Sequence, residues 1–361
     1  MKKIHLMTAI NSLGYGVVGW NVYKELAKLA DVTLWYIGND ITPPTQATSE
    51  DGERVRADIA KQDDLDYTAP ILKIWHEFQL AERIGKGPLT ALSFCEVSEL
   101  NTRRITHLSS ADKLVLPSEW MADITRRHLP DKSLCVVPMG VDRTVFNEFN
   151  NNPPPHVCTF FNCGKWEVRK GHDILHRAFS EAFPTETDVQ LLMMTENPFL
   201  SDQQKNYWEG LYRQDRRIKT MARVTHQQEL AEIMSKVDCG VFPARAEGWN
   251  LEALELMSMG KELIITNYSA HTQFCNSDNA RLIDIVEEEP MYDGLWFKGD
   301  CGSWASLEGQ PYDQLVAELR SVYKQWQDNP SGLVNTAGIE TAQKSSWETT
   351  AKQLLEATLE C

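Results

Sequence analysis

The sequence has 361 residues and contains no long apolar run. No stretch approaches the roughly 18 consecutive apolar residues that a membrane-spanning helix needs, so no integral membrane association is expected. The N-terminal apolar run ends within a few residues, which is too short for a secretory signal and is typical of a first core strand. These absences predict a cytoplasmic protein.

Paired cysteines and an excess of positive charge are also missing. The eight cysteines are scattered without a CxxC spacing, which argues against a disulfide framework or a zinc site. The net charge of −15 gives no general attraction for nucleic acid or anionic membranes. Residues 1–150 nevertheless carry 17 basic against 20 acidic side chains, while residues 151–361 carry 19 against 31. A polyanionic partner would therefore have to be bound locally, on the first half.

What the sequence does contain is an alternation of short β-branched runs with amphipathic segments, which predicts parallel sheets covered by helices. At 42% hydrophobic residues, the chain has enough apolar material for two domains. The predicted elements of the first half are the strands Ile4–Ile10, Val32–Ile37, Ile71–Trp75, Lys113–Leu116 and Val136–Val137, and a helix near Val18–Leu29. Residues 40–70 are acidic and lack periodicity, so a surface loop is expected there.

A polar, proline-rich stretch, Asn147–Pro155, is the predicted linker, and the alternation restarts after it. The predicted elements of the second half are the strands Thr159–Cys163, Val189–Thr195, Cys239–Phe242 and Glu262–Thr266, and the helices Gly171–Phe183, Gln227–Lys236 and Leu251–Gly260. Open α/β sheets bind ligands beyond the carboxyl ends of their strands. The cleft between the two units is therefore the expected site.

Two loops that follow predicted strands carry candidate chemistry. Asn11–Gly16 is rich in glycine and precedes a helix, so its backbone could approach an anion, although an ordinary tight turn has the same appearance. In the segment Gly164–Gly171, three cations stand within six positions: Lys165, Arg169 and Lys170. Such a group suits a diphosphate and could neutralise the charge of a leaving group, or it could be a solvated loop.

A third motif, Glu247–Glu255, follows a predicted strand and opens a helix. Asn250 is a suitable N-cap, which would present the first free amides of the helix to a phosphate. The carboxylate of Glu255 could accept hydrogen bonds from sugar or ribose hydroxyls. On their own, two glutamates near a helix start are more often capping residues and surface charge.

Taken together, the motifs resemble those of the family 4 glycosyltransferases, which have the GT-B fold, retain anomeric configuration, and need no metal. Seven residues stand between Glu247 and Glu255, downstream of the cation loop. The further segments with family resemblance are Glu96–Leu100, Ser110–Trp120, Val137–Asp142 and Ser346–Ala351. The resemblance implies two Rossmann-like domains whose parallel sheets face across a cleft. Residues 1–150 would be the acceptor side, 151–338 would bind the donor, and 339–361 would form a C-terminal helix returning to the first domain.

The resemblance also implies roles for individual residues. Lys165, Lys170 and Glu247 would be catalytic, with the lysines stabilising the diphosphate and Glu247 near the donor sugar. The implied donor-binding residues are Gly14, Tyr15, Gly16, Lys165, Arg169, Lys170, Glu247, Gly248, Trp249, Asn250, Leu251 and Glu255. Lys165 stands where the family more often has arginine. Lysine keeps the positive charge but lacks the planar, two-pronged geometry of a guanidinium. Trp249-Asn250 replaces the commoner Phe-Gly and would narrow the sugar pocket.

On the acceptor side, His76 follows a predicted strand and could position the attacking hydroxyl, as a further catalytic residue. The predicted acceptor-binding residues are His76, Glu96, Arg103 and Arg104. Each has an ordinary alternative: a satisfied strand-end histidine, a capping glutamate, or a solvated helix face. Together with Arg126-Arg127, the first arginine pair leaves open an acceptor that carries phosphates.

The predicted function is transfer of a sugar from a UDP- or GDP-linked donor to a hydroxyl acceptor, with retention and without a cofactor. The acceptor could be a glycan, a small metabolite or a hydroxymethylated base in DNA; the acidic charge argues against DNA and the arginine pairs leave it open. The alternative is a catalytically inactive nucleotide-sugar or carbohydrate-binding protein on the same fold.

Overall fold

The computed structural model describes residues 2–150, 156–329 and 332–361, so positions 151–155 of the predicted linker lie outside the described residues. The chain divides into two compact units. The first contains Met1–Asp142, Thr225–Gln228 and Ser345–Cys361, and the second contains Arg143–Val224 and Glu229–Lys344. The first unit thus ends at Asp142, before the predicted domain boundary at residue 150. The chain returns to the first unit at Ser345, after residue 339, where the C-terminal segment was predicted to begin.

Six parallel strands form the sheet of the first unit. They are β1 (Lys3–Thr8), β2 (Asp31–Tyr36), β3 (Ile71–Ile74), β4 (Leu89–Leu92), β5 (Lys113–Leu116) and β6 (Leu134–Val136). Their order is β2-β1-β3-β4-β5-β6, and every pair is parallel. The helices are α1 (Gly14–Leu29), α2 (Ser49–Ala60), α3 (Thr102–Ser109), α4 (Glu119–His128) and α11 (Trp347–Leu359). The central strands β3 and β4 are buried along their whole length, as expected of a parallel sheet covered on both faces.

The prediction of a loop over residues 40–70 is wrong, because α2 occupies much of that stretch. Thr48 and Asp51 form a capping box that satisfies the first amides of the helix. The helix is largely polar and buries only Val55 and Asp58. The Asp58 carboxylate accepts a hydrogen bond from the hydroxyl of Tyr23 at 2.8 Å. Tertiary contacts and a cap, rather than an apolar stripe, therefore hold this helix.

The last helix, α11, is part of the first unit although it is distant in sequence. The amide of Val141 donates to the carbonyl of Ser345 at 3.0 Å, and the hydroxyl of Thr350 donates to the carbonyl of Pro138 at 2.8 Å. At Gly140 the two segments approach so closely that a Cβ would lie 2.3 Å from the amide nitrogen of Trp347. This glycine is needed for the close backbone approach.

The second unit repeats the architecture with its own six-stranded parallel sheet. The strands are β7 (Cys158–Gly164), β8 (Val189–Thr195), β9 (Ile218–Met221), β10 (Cys239–Phe242), β11 (Glu262–Thr266) and β12 (Arg281–Ile283). Their order is β12-β11-β10-β7-β8-β9. The helices are α5 (His172–Ala182), α6 (Asp202–Tyr212), α7 (Gln227–Ser235), α8 (Leu251–Ser258), α9 (Gln310–Asp328) and α10 (Thr336–Gln343). The apolar faces of α5 and α9 contribute to one core with β7, β8 and β10.

The predicted strands are confirmed in both units, with ends shifted by at most two residues. The structure adds β4, β9 and β12 to the sheets. It also adds an antiparallel hairpin of β13 (Glu288–Tyr292) and β14 (Lys298–Ala305), which no pattern in the sequence predicted.

Candidate active site

The second unit gathers several predicted donor residues at one edge of its sheet. Strand β10 lies between β7 and β11. The carboxyl ends of neighbouring parallel strands meet at the same edge, so the loops that follow these three strands lie side by side. The first loop leads to α5, the second leads to α8, and the third leads to a 3-10 helix, Ser269–Gln273.

Two glycines give the loop after β7 its shape. Gly164 has a φ of 145° and Gly171 a φ of 71°, both in the region that favours glycine. A Cβ on Gly164 would lie 2.8 Å from Cδ of Lys170, and a Cβ on Gly171 would lie 2.0 Å from the carbonyl oxygen of Pro243. Gly171 therefore allows the start of α5 to pack directly against the loop that follows β10.

Replacing Gly171 by alanine is expected to lower the free energy of unfolding by about 2–4 kcal/mol, because the variant combines an unfavourable φ with a backbone clash. Gly210 in α6 is the matched control, since a Cβ there would meet nothing within 4 Å. Gly210→Ala is expected to leave stability unchanged or to raise it by up to about 1 kcal/mol. Urea unfolding of both variants measures the difference, and wild-type stability in Gly171→Ala would contradict the argument.

A buried ion cluster joins the loop after β7 to the loop after β10. The guanidinium Nη1 of Arg169 lies 2.9 Å from Glu247 Oε2, and Lys170 Nζ lies 2.7 Å from Glu247 Oε1. Arg169 Nη1 also donates to the carbonyl of Ala246 at 2.7 Å. Arg169 is 3% exposed and Glu247 is 5% exposed. Two of the predicted donor cations thus converge on one carboxylate.

The charges in this cluster reinforce one another's ionised state. Burial would raise the pKa of Glu247, but the positive charges of Arg169 and Lys170 outweigh burial and hold that pKa well below its usual range. Burial would likewise lower the pKa of Lys170, and the charge of Glu247 raises it instead. Both partners of this pair are therefore charged near neutral pH.

Lys165 belongs to the same cluster through Glu167. Its Nζ lies 3.0 Å from Glu167 Oε1, and the other carboxylate oxygen of Glu167 lies 2.8 Å from Arg169 Nη2. The Lys165 ammonium also stands 5.8 Å from the ring centre of Phe199. Its side chain is 36% exposed, against 4% for Arg169, so Lys165 is the cation of this loop that solvent reaches most easily.

Aromatic packing and one buried histidine support the cation loop from below. Trp166 stacks on Trp208 with centroids 5.7 Å apart and also packs against Tyr212. His172 Nε2 lies 2.9 Å from the side-chain oxygen of Asn162, and its Nδ1 accepts from the amide of Glu167 at 3.4 Å. Burial lowers the pKa of His172 to about 3, so this ring is neutral. The loop is consequently held by uncharged contacts beneath its ionic surface.

The loop after β10 ends at the N-terminus of α8. Asn250 is the N-cap, and its side-chain oxygen accepts from the amide of Ala253 at 3.2 Å. Gly248 is buried, and Leu251 begins the helix. Trp249 is 4% exposed and packs on Phe274 with centroids 4.9 Å apart. The indole thus contributes to the packing of this loop.

Glu255 lies in the second turn of α8 and is 5% exposed. Glu252 lies one turn earlier on the same helix, and burial raises its pKa. Cys163, at the end of β7, has its thiol 4.0 Å from Glu252 Oε1. Glu255 therefore belongs to the inner side of α8, and Glu252 is partly buried beside it.

In the first unit, the glycine loop and the predicted acceptor histidine come together. Tyr15 lies at the start of α1, and its ring centroid is 4.3 Å from that of His76. The amide of Phe94 donates to the hydroxyl of Tyr15 at 3.1 Å. A Cβ on Gly16 would lie 2.3 Å from the side-chain oxygen of Asn11, whereas Gly14 has open space around it. Gly16 thus serves a tight turn.

The arginine pairs of the first unit are engaged with neighbouring groups. Arg104 Nε lies 2.8 Å from Glu77 Oε1, and both side chains are largely buried. Arg103 stands over the ring of Phe78 at 5.2 Å and is exposed. Arg126 forms ion pairs with Glu119 and Asp123 on its own helix. Glu96 lies in the loop after β4 and is partly buried.

Some residues of these sites carry no sequence signal that the motifs would reveal. Ser269 and His271, in the loop after β11, contact the loop of Glu247 and Asn250. Asn162 supports His172 from inside β7. Each could be suspected only from its position at or near the end of a strand.

Two absences hold for residues 2–150, 156–329 and 332–361. No group of three or more histidine, cysteine, aspartate or glutamate side chains there could hold a metal ion. No helix in these ranges is both long enough and apolar enough to cross a membrane.

Comparison with known proteins shows a match to one family over part of the chain and similar folds among solved structures. Residues 157–293 match the family model described as glycosyl transferases group 1, which covers the cation loop and the Glu247–Glu255 motif. No match to a curated protein sequence was found. Among solved structures, sucrose-phosphate synthase from Thermosynechococcus elongatus is similar with a TM-score of 0.71 at 16% identity, over 100% of this chain and 99% of that chain.

Two further structures carry ligands. HepE from Anabaena, in complex with UDP and glucose, is similar with a TM-score of 0.70 at 13% identity over 100% of both chains. An α,α-trehalose-phosphate synthase from Burkholderia xenovorans, in complex with glucose-6-phosphate, has a TM-score of 0.68 at 12% identity over 99% of this chain and 100% of that chain. The predicted resemblance to GT-B glycosyltransferases and the predicted fold, with two Rossmann-like domains, are confirmed. The family match and the fold together support glycosyl transfer from a nucleotide sugar.

Proposed function

We propose that this protein transfers a sugar from a UDP- or GDP-linked donor to a hydroxyl acceptor, with retention of configuration and without a metal ion. The proposal rests on one observation above all. Arg169 and Lys170 converge on Glu247, at 2.9 and 2.7 Å, immediately before the N-terminus of α8. Cations and helix amides at the carboxyl edge of a sheet are the groups that bind a diphosphate.

The chemistry asked of these cations is stabilisation of a leaving group. When the bond between the sugar and the diphosphate breaks, negative charge grows on the diphosphate oxygens. Lys170 can turn from Glu247 toward those oxygens, while Arg169 keeps Glu247 paired. Amides in the first turn of α8 would add fixed dipoles that require no reorganisation. Preformed positive charge of this kind can stand in for a divalent cation.

Retention would follow if the acceptor hydroxyl attacks on the face from which the diphosphate departs. The departing diphosphate then takes the proton of that hydroxyl, so that the sugar–oxygen bond forms as the sugar–diphosphate bond breaks. We propose that Glu247 lies near the donor sugar, that Glu255 binds the ribose hydroxyls, and that Tyr15 and Gly14–Gly16 approach the donor. We propose His76 as the residue that positions the acceptor.

Contacts in the first unit support a proposal for the acceptor class. Tyr15, Trp75, His76 and Phe78 form a run of ring contacts with centroids 4.3 to 5.5 Å apart. Aromatic faces of this kind suit a sugar ring. Because Arg104 and Arg126 are already paired with carboxylates, a sugar or glycan is favoured over a polyanionic acceptor such as DNA.

The test is a thermal-shift titration with UDP, GDP, ADP, CDP and TDP, in the presence of EDTA and then with added magnesium. A ligand at 100 times its dissociation constant should stabilise the protein by about 2.7 kcal/mol. We expect UDP or GDP to stand out, with the same shift in both conditions. A shift that appears only with magnesium would contradict metal independence.

The remaining outcomes separate transfer from binding. A protein stabilised by one nucleotide, but inactive with the corresponding nucleotide sugars against a broad panel of sugar acceptors, would be a binding protein on the same fold. No shift with any nucleotide would contradict the donor site itself.

A further inference from the structure

Two residues with a strained backbone lie in the loops of the second unit's site. Among the described residues, the non-glycine positions with positive φ are Asn250, at 88°, and Ser269, at 53°. Both are buried, at 6% and 1% exposure. Backbone strain of this kind costs of the order of 1–3 kcal/mol per residue and persists only where the surroundings enforce it. The surroundings of both residues therefore need to be identified.

The loop after β11 holds the backbone of Glu247. Ser269 Oγ accepts from the amide of Glu247 at 2.8 Å, and the amide of Ala270 donates to the carbonyl of Glu247 at 3.2 Å. Both backbone groups of this residue are therefore fixed by the neighbouring loop. The carboxylate that Arg169 and Lys170 bind is therefore attached to a backbone segment that is fixed by hydrogen bonds.

Asn250 is held by His271 through a defined tautomer. The hydroxyl of Thr266 donates to the carbonyl of Ala244 at 2.7 Å, and His271 Nδ1 lies 3.1 Å from the carbonyl of Thr266. A carbonyl only accepts, so Nδ1 carries the proton of His271. Burial lowers the pKa of His271 to about 4, which leaves Nε2 as an acceptor in the neutral ring.

The acceptor at Nε2 meets the amide of Asn250. Asn250 Nδ2 lies 3.0 Å from His271 Nε2, while Asn250 Oδ1 accepts from the amide of Ala253. The two ends of one side chain are thus tied to α8 and to the loop after β11.

We propose that His271 is a positioning residue that, through its hydrogen bond with Asn250, fixes the loop Glu247–Asn250 and the first turn of α8 for the donor diphosphate. This inference rests on the proposed function. His271 acts through Asn250 and is assigned no contact with the donor.

The test compares four variants: His271→Phe, which keeps a ring but loses the acceptor; His271→Gln, which keeps an acceptor; Asn250→Gly, which removes the side chain; and the double variant His271→Phe/Asn250→Gly. Binding of UDP and of GDP is measured by calorimetry. We expect His271→Phe to weaken binding of the preferred nucleotide about tenfold, the effect of one lost buried hydrogen bond. His271→Gln should recover most of that loss.

The double variant shows whether His271 acts through Asn250. If it does, His271→Phe adds no further loss in the Asn250→Gly background. Full additivity, or wild-type nucleotide affinity in His271→Phe, would overturn the proposal, because a merely structural histidine would lower stability without this coupling.

A ligand-free readout separates this inference from the proposed function. The indole N–H resonance of Trp249, assigned with Trp249→Phe, reports on the loop beside Asn250. We expect the resonance to move in His271→Phe and to return toward its original position in His271→Gln. If wild-type protein binds no nucleotide, the proposed function fails while this resonance still decides the positioning role. A resonance unmoved in His271→Phe would overturn the inference.

Discussion

Lys170→Ala is expected to lower turnover with the nucleotide-sugar donor by about 100-fold or more, the usual effect of removing one group that stabilises a leaving-group charge. The ammonium of Lys170 contacts the carboxylate of Glu247 at 2.7 Å, on a side chain that is 14% exposed, so it lies where a donor diphosphate could take the place of that carboxylate. The rate is measured with the nucleotide sugar whose nucleotide gives the largest thermal shift.

The control for this variant is Lys236→Ala, an exposed lysine immediately after the end of α7, which pairs with Glu232 at 3.1 Å. Its turnover should match that of the wild type. If Lys170→Ala stays within about threefold of wild type, the assignment of Lys170 to the leaving group is wrong. Nucleotide affinity measured alongside shows whether the loss lies in binding or in the chemical step.

Arg169→Met is expected to lower the free energy of unfolding by about 3–5 kcal/mol, because it removes the buried cation that two buried carboxylates share. Arg169 is 3% exposed and pairs with both Glu167 and Glu247. Methionine retains much of the side-chain length, so the loss reports on charge rather than on volume. Unfolding by urea, followed by fluorescence and circular dichroism, measures the change.

Arg213→Met provides the matched comparison for this loss. Arg213 pairs with Glu209 one turn earlier on α6, and its side chain is 70% exposed. An exposed pair of this kind contributes at most about 1 kcal/mol. Equal effects of the two substitutions would show that the Arg169 cluster is no more than a surface ion pair.

The local elements were predictable because their signals are local. The strands Lys113–Leu116 and Glu262–Thr266 are short apolar runs between polar segments, and the structure has them at those residues. The helix α2 escaped because its sequence is almost entirely polar. A capping box and the hydrogen bond of Asp58 with Tyr23 hold α2 in place. Tyr23 is distant from Asp58 in sequence, so no local pattern reveals this contact.

The same distinction applies to the site. Lys165, Arg169 and Lys170 could be selected from one segment, because three cations at the end of a strand form a local pattern. Their convergence on Glu247 depends on the adjacency of β7 and β10, which are far apart in sequence. The role of His271 depends on a tautomer set by Thr266, and neither residue belongs to a motif. Sequence patterns can identify candidate charged residues, but the order of strands in the sheet determines which of these residues come into contact.

Because the first unit is built from segments distant in sequence, it cannot be completed early in translation. Residues up to Asp142 emerge early, but Ser345 and the α11 helix that packs with Gly140 follow roughly 200 residues later. At about 5–20 residues per second, the nascent first sheet waits on the order of 10–40 s for its last helix. The second unit, from Arg143 to Lys344, is translated entirely within that interval. It can therefore finish folding before the first unit is complete.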